Sequence, residues 1–155
     1  TFKLPTISIA TVILTHKNSN EHKKFILSPR ISTDLALDVI EGVVKVTKIT
    51  NKDSQIWSFI HSGNGCMMIN GDGEIITKEE SSSYELAAKK ERIEGQMFKI
   101  DSVDGLFYKI INSDGKALEL EGESTSEGTR VGLWPYEDGA IPVHRQWILT
   151  QILDT

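Results

Sequence analysis

The residue types that drive reactions are few in this sequence, and their spacing argues against catalysis. The single cysteine, Cys66, stands in the apolar run Cys66-Met67-Met68-Ile69. A thiol in such a run packs as a small hydrophobe rather than acting as a nucleophile. The four histidines, His16, His22, His61 and His144, show no metal-ligand spacing. No glycine-rich phosphate loop or serine elbow is present. Glu119 and Glu121 lie two apart, so on a strand both face one side. That pairing could mimic the carboxylates of a glycosidase, but alternating carboxylates are commoner on a solvated strand face. Trp134 invites recognition instead. It precedes Pro135-Tyr136 in a turn-like segment, where an indole ring can lie open to a ligand.

The elements that must position these residues are set by three aromatic signposts. Ser54-Gln55-Ile56-Trp57-Ser58-Phe59, Gly95-Gln96-Met97-Phe98-Lys99-Ile100 and Arg145-Gln146-Trp147-Ile148-Leu149 recur with their aromatics 41 and 49 residues apart. Gln precedes the aromatic by two positions in the first two, and Arg145 holds that place in the third. A recurrence in this range marks one supersecondary unit used three times. The spacing predicts units over about residues 7–60, 61–100 and 101–153 of a single domain. Trp57, Phe98 and Trp147 are expected in the core, with Gln55 and Gln96 bonding backbone there.

Short β-branched and apolar runs predict strands near residues 7–14, 25–27, 44–47, 55–59, 74–77, 106–111, 117–120, 130–134 and 146–149. Asn70-Gly71-Asp72-Gly73 and Asn112-Ser113-Asp114-Gly115 read as tight turns. One segment conflicts. Ser82 and Glu85 have capping-box spacing, Leu86 and Ile93 lie seven apart, and Gly95 could end a helix. The repeat nevertheless requires a strand near Leu86, about twelve residues before Phe98, and that reading is preferred. Many short strands in three units predict a closed all-β structure.

Bulk composition agrees with a soluble, non-nucleic-acid binder. The chain has 155 residues, 39% hydrophobic and 25% charged, with net charge −5 and a pI near 5.4. The balance opposes phosphate backbones; His22-Lys23-Lys24 is the nearest thing to a basic stripe. No apolar run approaches the roughly 18 residues of a membrane span. Residues 1–14 are expected to be a strand rather than a signal peptide. One cysteine precludes an internal disulfide, and no Asn-x-Ser/Thr sequon occurs. Both fit a cytoplasmic or leaderless secreted protein. No cofactor or metal is expected.

The third unit resembles a repeat of the ricin-B-type lectins. The residues that carry the resemblance are Leu118-Glu119-Leu120, Gly128-Thr129-Arg130-Val131, Leu133-Trp134-Pro135-Tyr136 and Gln146-Trp147. Leu37-Asp38-Val39 with Gln55-Ile56-Trp57 resembles a second repeat, and Gln96-Met97-Phe98 a weaker third. The resemblance implies a β-trefoil of twelve strands with three pseudo-symmetric repeats. It implies a shallow sugar site in a repeat, where a carboxylate accepts from adjacent hydroxyls and a ring packs on the pyranose face. Carried over, the third unit places Glu119 at the carboxylate, Trp134 at the ring, and His144 and Arg145 at the Asn and Gln positions. In the first unit Asp38 and Gln55 match, Ser54 stands for Asn, and Ile49 or a neighbour takes the place of the ring. In the second, Asn70 and Tyr84 come nearest.

The implied function is a non-enzymatic, carbohydrate-binding lectin-like module for glycans or glycoproteins, galactose-type glycans being the family's default. No nucleic acid or membrane insertion is expected, and a homo-oligomer or a place in a larger protein stays open. The alternative is a trefoil that has lost sugar binding and acts through loops 16–24, 78–83 and 136–143 as a protein-binding module or protease inhibitor.

Overall fold

Short strands rich in β-branched and aromatic residues alternate with Gly-, Asn- and Asp-containing turns, and this sequence grammar builds a sheet closed on itself. The computed structural model describes residues 23–135 and 141–153. The twelve strands are β1 (Lys24–Pro29), β2 (Leu35–Ile40), β3 (Val43–Lys48), β4 (Trp57–Ser62), β5 (Gly65–Asn70), β6 (Ile75–Lys78), β7 (Leu86–Lys89), β8 (Phe98–Ser102), β9 (Tyr108–Asn112), β10 (Lys116–Leu120), β11 (Val131–Pro135) and β12 (Trp147–Ile152). Helix among the described residues is confined to single 3₁₀ turns at Asp53–Gln55, Glu121–Glu123 and Val143–Arg145. None of these is long and apolar enough to cross a membrane.

Six strands close a barrel. β1 pairs with β12 and β4, β4 with β5, β5 with β8, β8 with β9, and β9 with β12. Every pairing is antiparallel, and closure leaves the barrel without an edge. The remaining strands form three hairpins, β2–β3, β6–β7 and β10–β11. They meet one another through Val43↔Ala87, Lys45↔Arg130 and Glu85↔Gly132. Four strands per unit, repeated three times, give the threefold arrangement that the signposts predict.

The core draws on every unit. Trp57, Phe98 and Trp147 are buried together with Leu37, Met68, Ile76, Tyr108, Ile110 and Leu118. Burying side chains of this size contributes roughly 1.5–3 kcal/mol each. The turns repeat as well. Asn70 Oδ1 accepts from the amides of Asp72 and Glu74, and Asn112 Oδ1 from those of Asp114 and Lys116. Gly73 and Gly115 follow in the left-handed region at φ 82° and 80°, which glycine adopts without a Cβ penalty.

The segment with helix-like spacing is a strand. Leu86–Lys89 pairs with Ile75–Lys78 over four positions, so tertiary pairing overrides the local capping-box signal. Cys66-Met67-Met68-Ile69 lies within β5, a strand that the apolar run alone does not distinguish from any other buried segment. The strand expected at residues 7–14 lies outside the described residues.

Burial pushes the Cys66 thiol up to about 12. The thiolate, which is the reactive form, is therefore scarce at neutral pH. Cys66 is expected to resist a thiol-labelling reagent at pH 8 in the native protein and to react fully in denaturant. Rapid native labelling would show that β5 opens locally.

Candidate functional site

The hairpin registers and the signpost side chains fix which residues correspond between units. Trp57 Nε1 donates to the Leu37 carbonyl at 3.0 Å and Trp147 Nε1 to the Leu118 carbonyl at 3.1 Å. The residues that follow, Asp38 and Glu119, thus occupy one equivalent place. Thr77 takes it in the second unit, because Gln96 Nε2 donates to Thr77 Oγ1 at 3.1 Å as Gln55 Nε2 donates to Asp38 Oδ2 at 3.3 Å. Arg145 makes the corresponding contact to Glu119 at 2.9 Å. Across each hairpin, the ring's place belongs to Trp134 opposite Ala117, Thr47 opposite Ala36 and Lys89 opposite Ile75.

This register corrects two assignments. Thr47, not Ile49, takes the place of the ring in the first unit, because the β2–β3 connection is a tight turn at Glu41-Gly42. Ile49 lies beyond the end of β3. In the second unit Thr77 and Lys89, not Asn70 and Tyr84, occupy the acid and ring places. Asn70 is committed to its turn.

Asp38 and Gln55 come together, but inside the protein. Both are fully buried. Asp38 accepts from the Val39 amide at 2.7 Å, from Thr47 Oγ1 at 2.5 Å and from Gln55, and pairs with Lys52 Nζ at 3.3 Å. The Gln55 carbonyl accepts from the amides of Thr50 and Asn51, while its NH₂ also reaches Thr47 Oγ1 and the Lys48 carbonyl. The network ties β2, β3 and the turn before Trp57 together. Burial alone would raise the Asp38 carboxyl, but hydrogen bonds, those of Ser54 and Thr47 foremost, hold it below the usual carboxylate value. A depressed folded-state pKa adds stability above the unfolded value, about 4, that is lost as pH falls through the folded value. Asp38→Asn is expected to lower stability at pH 7 and to flatten the acid limb of a stability–pH curve. An unchanged acid limb would reject this assignment.

The third unit gathers all four of its expected residues. Glu119, Trp134, His144 and Arg145 line one open cleft of about 580 Å³, with Tyr84, Glu85, Glu121, Glu123 and Arg130 among its other walls. Trp134 is 49% exposed. Glu119 is buried at the cleft's base, where Arg145 Nε at 2.9 Å and His144 Nε2 at 3.3 Å both meet its Oε1. Both contacts fall on that one oxygen, and the Tyr84 phenol is a further polar neighbour of the same carboxylate. The Arg145 side chain thus does for a longer acid what the Gln55 amide does for Asp38. A carboxylate beside a half-open indole can hold a polyol by hydrogen bonds on one side and packing on the other.

Tyr84 is the residue that sequence reasoning misplaced. It crosses from the second unit, with the Tyr84 carbonyl accepting from the Leu133 amide at 2.8 Å. Its ring lies over Gly132, where a Cβ would meet Tyr84 Cε2 at 2.1 Å. The ring then stands edge-on to Trp134, centroids 6.3 Å apart at 70°. Burial, reinforced by the Glu119 charge, raises the pKa of the Tyr84 phenol and keeps it neutral. A glycine inside an apolar strand, as at Gly132, was the available signal for this close approach. Among the described residues no group of three or more His, Cys, Asp or Glu side chains could hold a metal ion.

No family model and no curated protein matches the sequence. Solved structures match in shape. ThreeFoil, a designed threefold-symmetric protein, superposes with a TM-score of 0.74 at 23% identity, over 83% of this chain and 99% of its own. The Macrolepiota procera ricin B-like lectin, solved in complex with lactose, gives 0.72 at 17% identity over 84% of this chain and 96% of its own. An exo-β-1,3-galactanase from Clostridium thermocellum gives 0.72 at 20% identity over 86% of this chain, but only 31% of that one. At these identities the likeness is one of fold. Together with the barrel closure and the indole–carbonyl bonds repeated between units, it shows that this chain folds as a β-trefoil.

Proposed function

We propose that this chain is a non-enzymatic carbohydrate-binding module whose site is the cleft of the third unit. The observation that carries the proposal is the pairing, in one open cleft, of the half-exposed Trp134 ring with the Glu119 carboxylate. In the other two units Thr47 and Lys89 replace the ring, and Asp38 and Thr77 are engaged by glutamine side chains. A pyranose would lay its C–H face on Trp134 and donate hydroxyls to the Glu119 carboxylate. His144 and Arg145 hold the carboxylate in place through Oε1.

Galactose-type glycans are the first class to test, because Trp134 offers the flat apolar surface they need and a fold neighbour holds lactose. A single shallow, water-competed site gives millimolar affinity for a free monosaccharide. Cell-surface binding would need several copies. The test is a glycan array probed with monomeric and multivalent protein. Signal in the multivalent format that Trp134→Ala removes is the expected result. A blank array in both formats would overturn the reading and favour protein binding through the loops.

A further inference from the structure

The charges around this cleft are already matched in a way that decides which sugars can enter. Four carboxylates, Glu85, Glu119, Glu121 and Glu123, face two guanidiniums, Arg130 and Arg145, so the cleft carries two negative charges in excess when His144 is neutral. Each guanidinium is already paired with a carboxylate. Arg130 spans Glu85 at 3.3 Å and Glu121 at 3.2 Å, with its Nε on Glu121 Oε1 at 3.3 Å. Arg145 gives its Nε to Glu119 Oε1 at 2.9 Å. Glu123 is the remaining carboxylate. It is exposed, makes no hydrogen bond or ion pair with the described residues, and sits at φ 59° beside Gly122 at φ 63°. That left-handed pair turns the chain at the cleft's edge.

We infer that the cleft selects its ligand by charge, admitting neutral or amine-bearing sugars and rejecting sulfated, sialylated or uronic acid-bearing ones, with Glu123 as the residue that sets the selection at the rim. This inference rests on the carbohydrate reading. An anionic group entering the cleft would find both guanidinium charges already matched by carboxylates and would face the two carboxylates in excess, a repulsion that is substantial at contact and screened by salt. Glu123 lies on no strand and holds no partner, so changing it leaves the fold alone.

The test takes the neutral glycan that binds best on the array. It compares that glycan with its 6-O-sulfate, and a uronic acid counterpart with its methyl ester, which keeps the shape but removes the charge. The methyl ester is expected to bind within about twofold of the neutral parent. The free acid and the sulfate should bind at least tenfold more weakly at low salt, with the gap narrowing at 0.5 M salt, on the order of that expected from two nearby charges. Glu123→Lys should narrow the gap further, read as the ratio of acid to ester affinity within each variant. Equal affinity for acid and ester, or a gap that Glu123→Lys does not move, would overturn the inference with the carbohydrate reading intact. Failure of every glycan, neutral ones included, would overturn the carbohydrate reading itself.

Discussion

Trp147→Ala is expected to destabilise the protein by about 3–5 kcal/mol, whereas Trp134→Ala should cost no more than about 0.5 kcal/mol. Trp147 is fully buried, and its indole N–H satisfies the Leu118 carbonyl. Truncation would leave a large void and an unpaired buried acceptor. Trp134 is half exposed at the end of β11 and touches Tyr84 edge-on. Its removal takes away little burial and, on the proposed function, all glycan binding. Thermal melts of the two variants separate framework from site without knowledge of the ligand. Equal, large falls in melting temperature would make the third-unit cleft part of the scaffold and sink the assignment of Trp134 as the recognition ring.

The second large effect is expected at Arg145. Arg145 and Glu119 are both mostly enclosed, at 14% and 8% side-chain exposure. Arg145→Ala would leave the Glu119 carboxylate with His144 alone among these two partners. Removing one member of a buried pair typically costs about 3–5 kcal/mol, because the surviving charge stays desolvated. Arg145→Ala is expected near the lower end, since the cleft admits some water. Glu119→Gln combined with Arg145→Gln should recover most of the loss, as an amide pair, neutral like Gln96 against Thr77 in the second unit, carries no charge to strand. Denaturant midpoints of Glu119→Gln, Arg145→Gln and the double variant give the coupling directly. A coupling near zero would mean that the pair is a surface contact without a structural role.

The framework was legible in the sequence because it is periodic. The three signposts, the alternating runs and the Asn-x-Asp-Gly turns report local chemistry: strand propensity, tight turns and one large aromatic per unit. Closure of the barrel follows, since no single unit can bury its apolar face alone. The residues gathered in the third unit were legible too, because they lie along β10, β11 and the turn before β12, all within one repeat.

What only the tertiary structure decided is what crosses between units and how deep each side chain lies. The same motif residues have opposite fates. Asp38 with Gln55 is sealed by Thr47, whereas Glu119 with Arg145 opens onto a cleft beside Trp134. Within one shared register, the residue across the hairpin makes that difference: a hydroxyl at Thr47 opposite Ala36, an indole at Trp134 opposite Ala117. Tyr84 was assigned to the second unit because sequence distance is the only distance a sequence contains. The Glu85↔Gly132 bridge carries it into the third, where glycine lets the ring approach. Nor could composition foresee that Arg130 would be fully engaged by Glu85 and Glu121. Propensity and periodicity act along the chain and survive in the sequence, whereas burial and charge pairing depend on long-range packing that exists only once the three units have met.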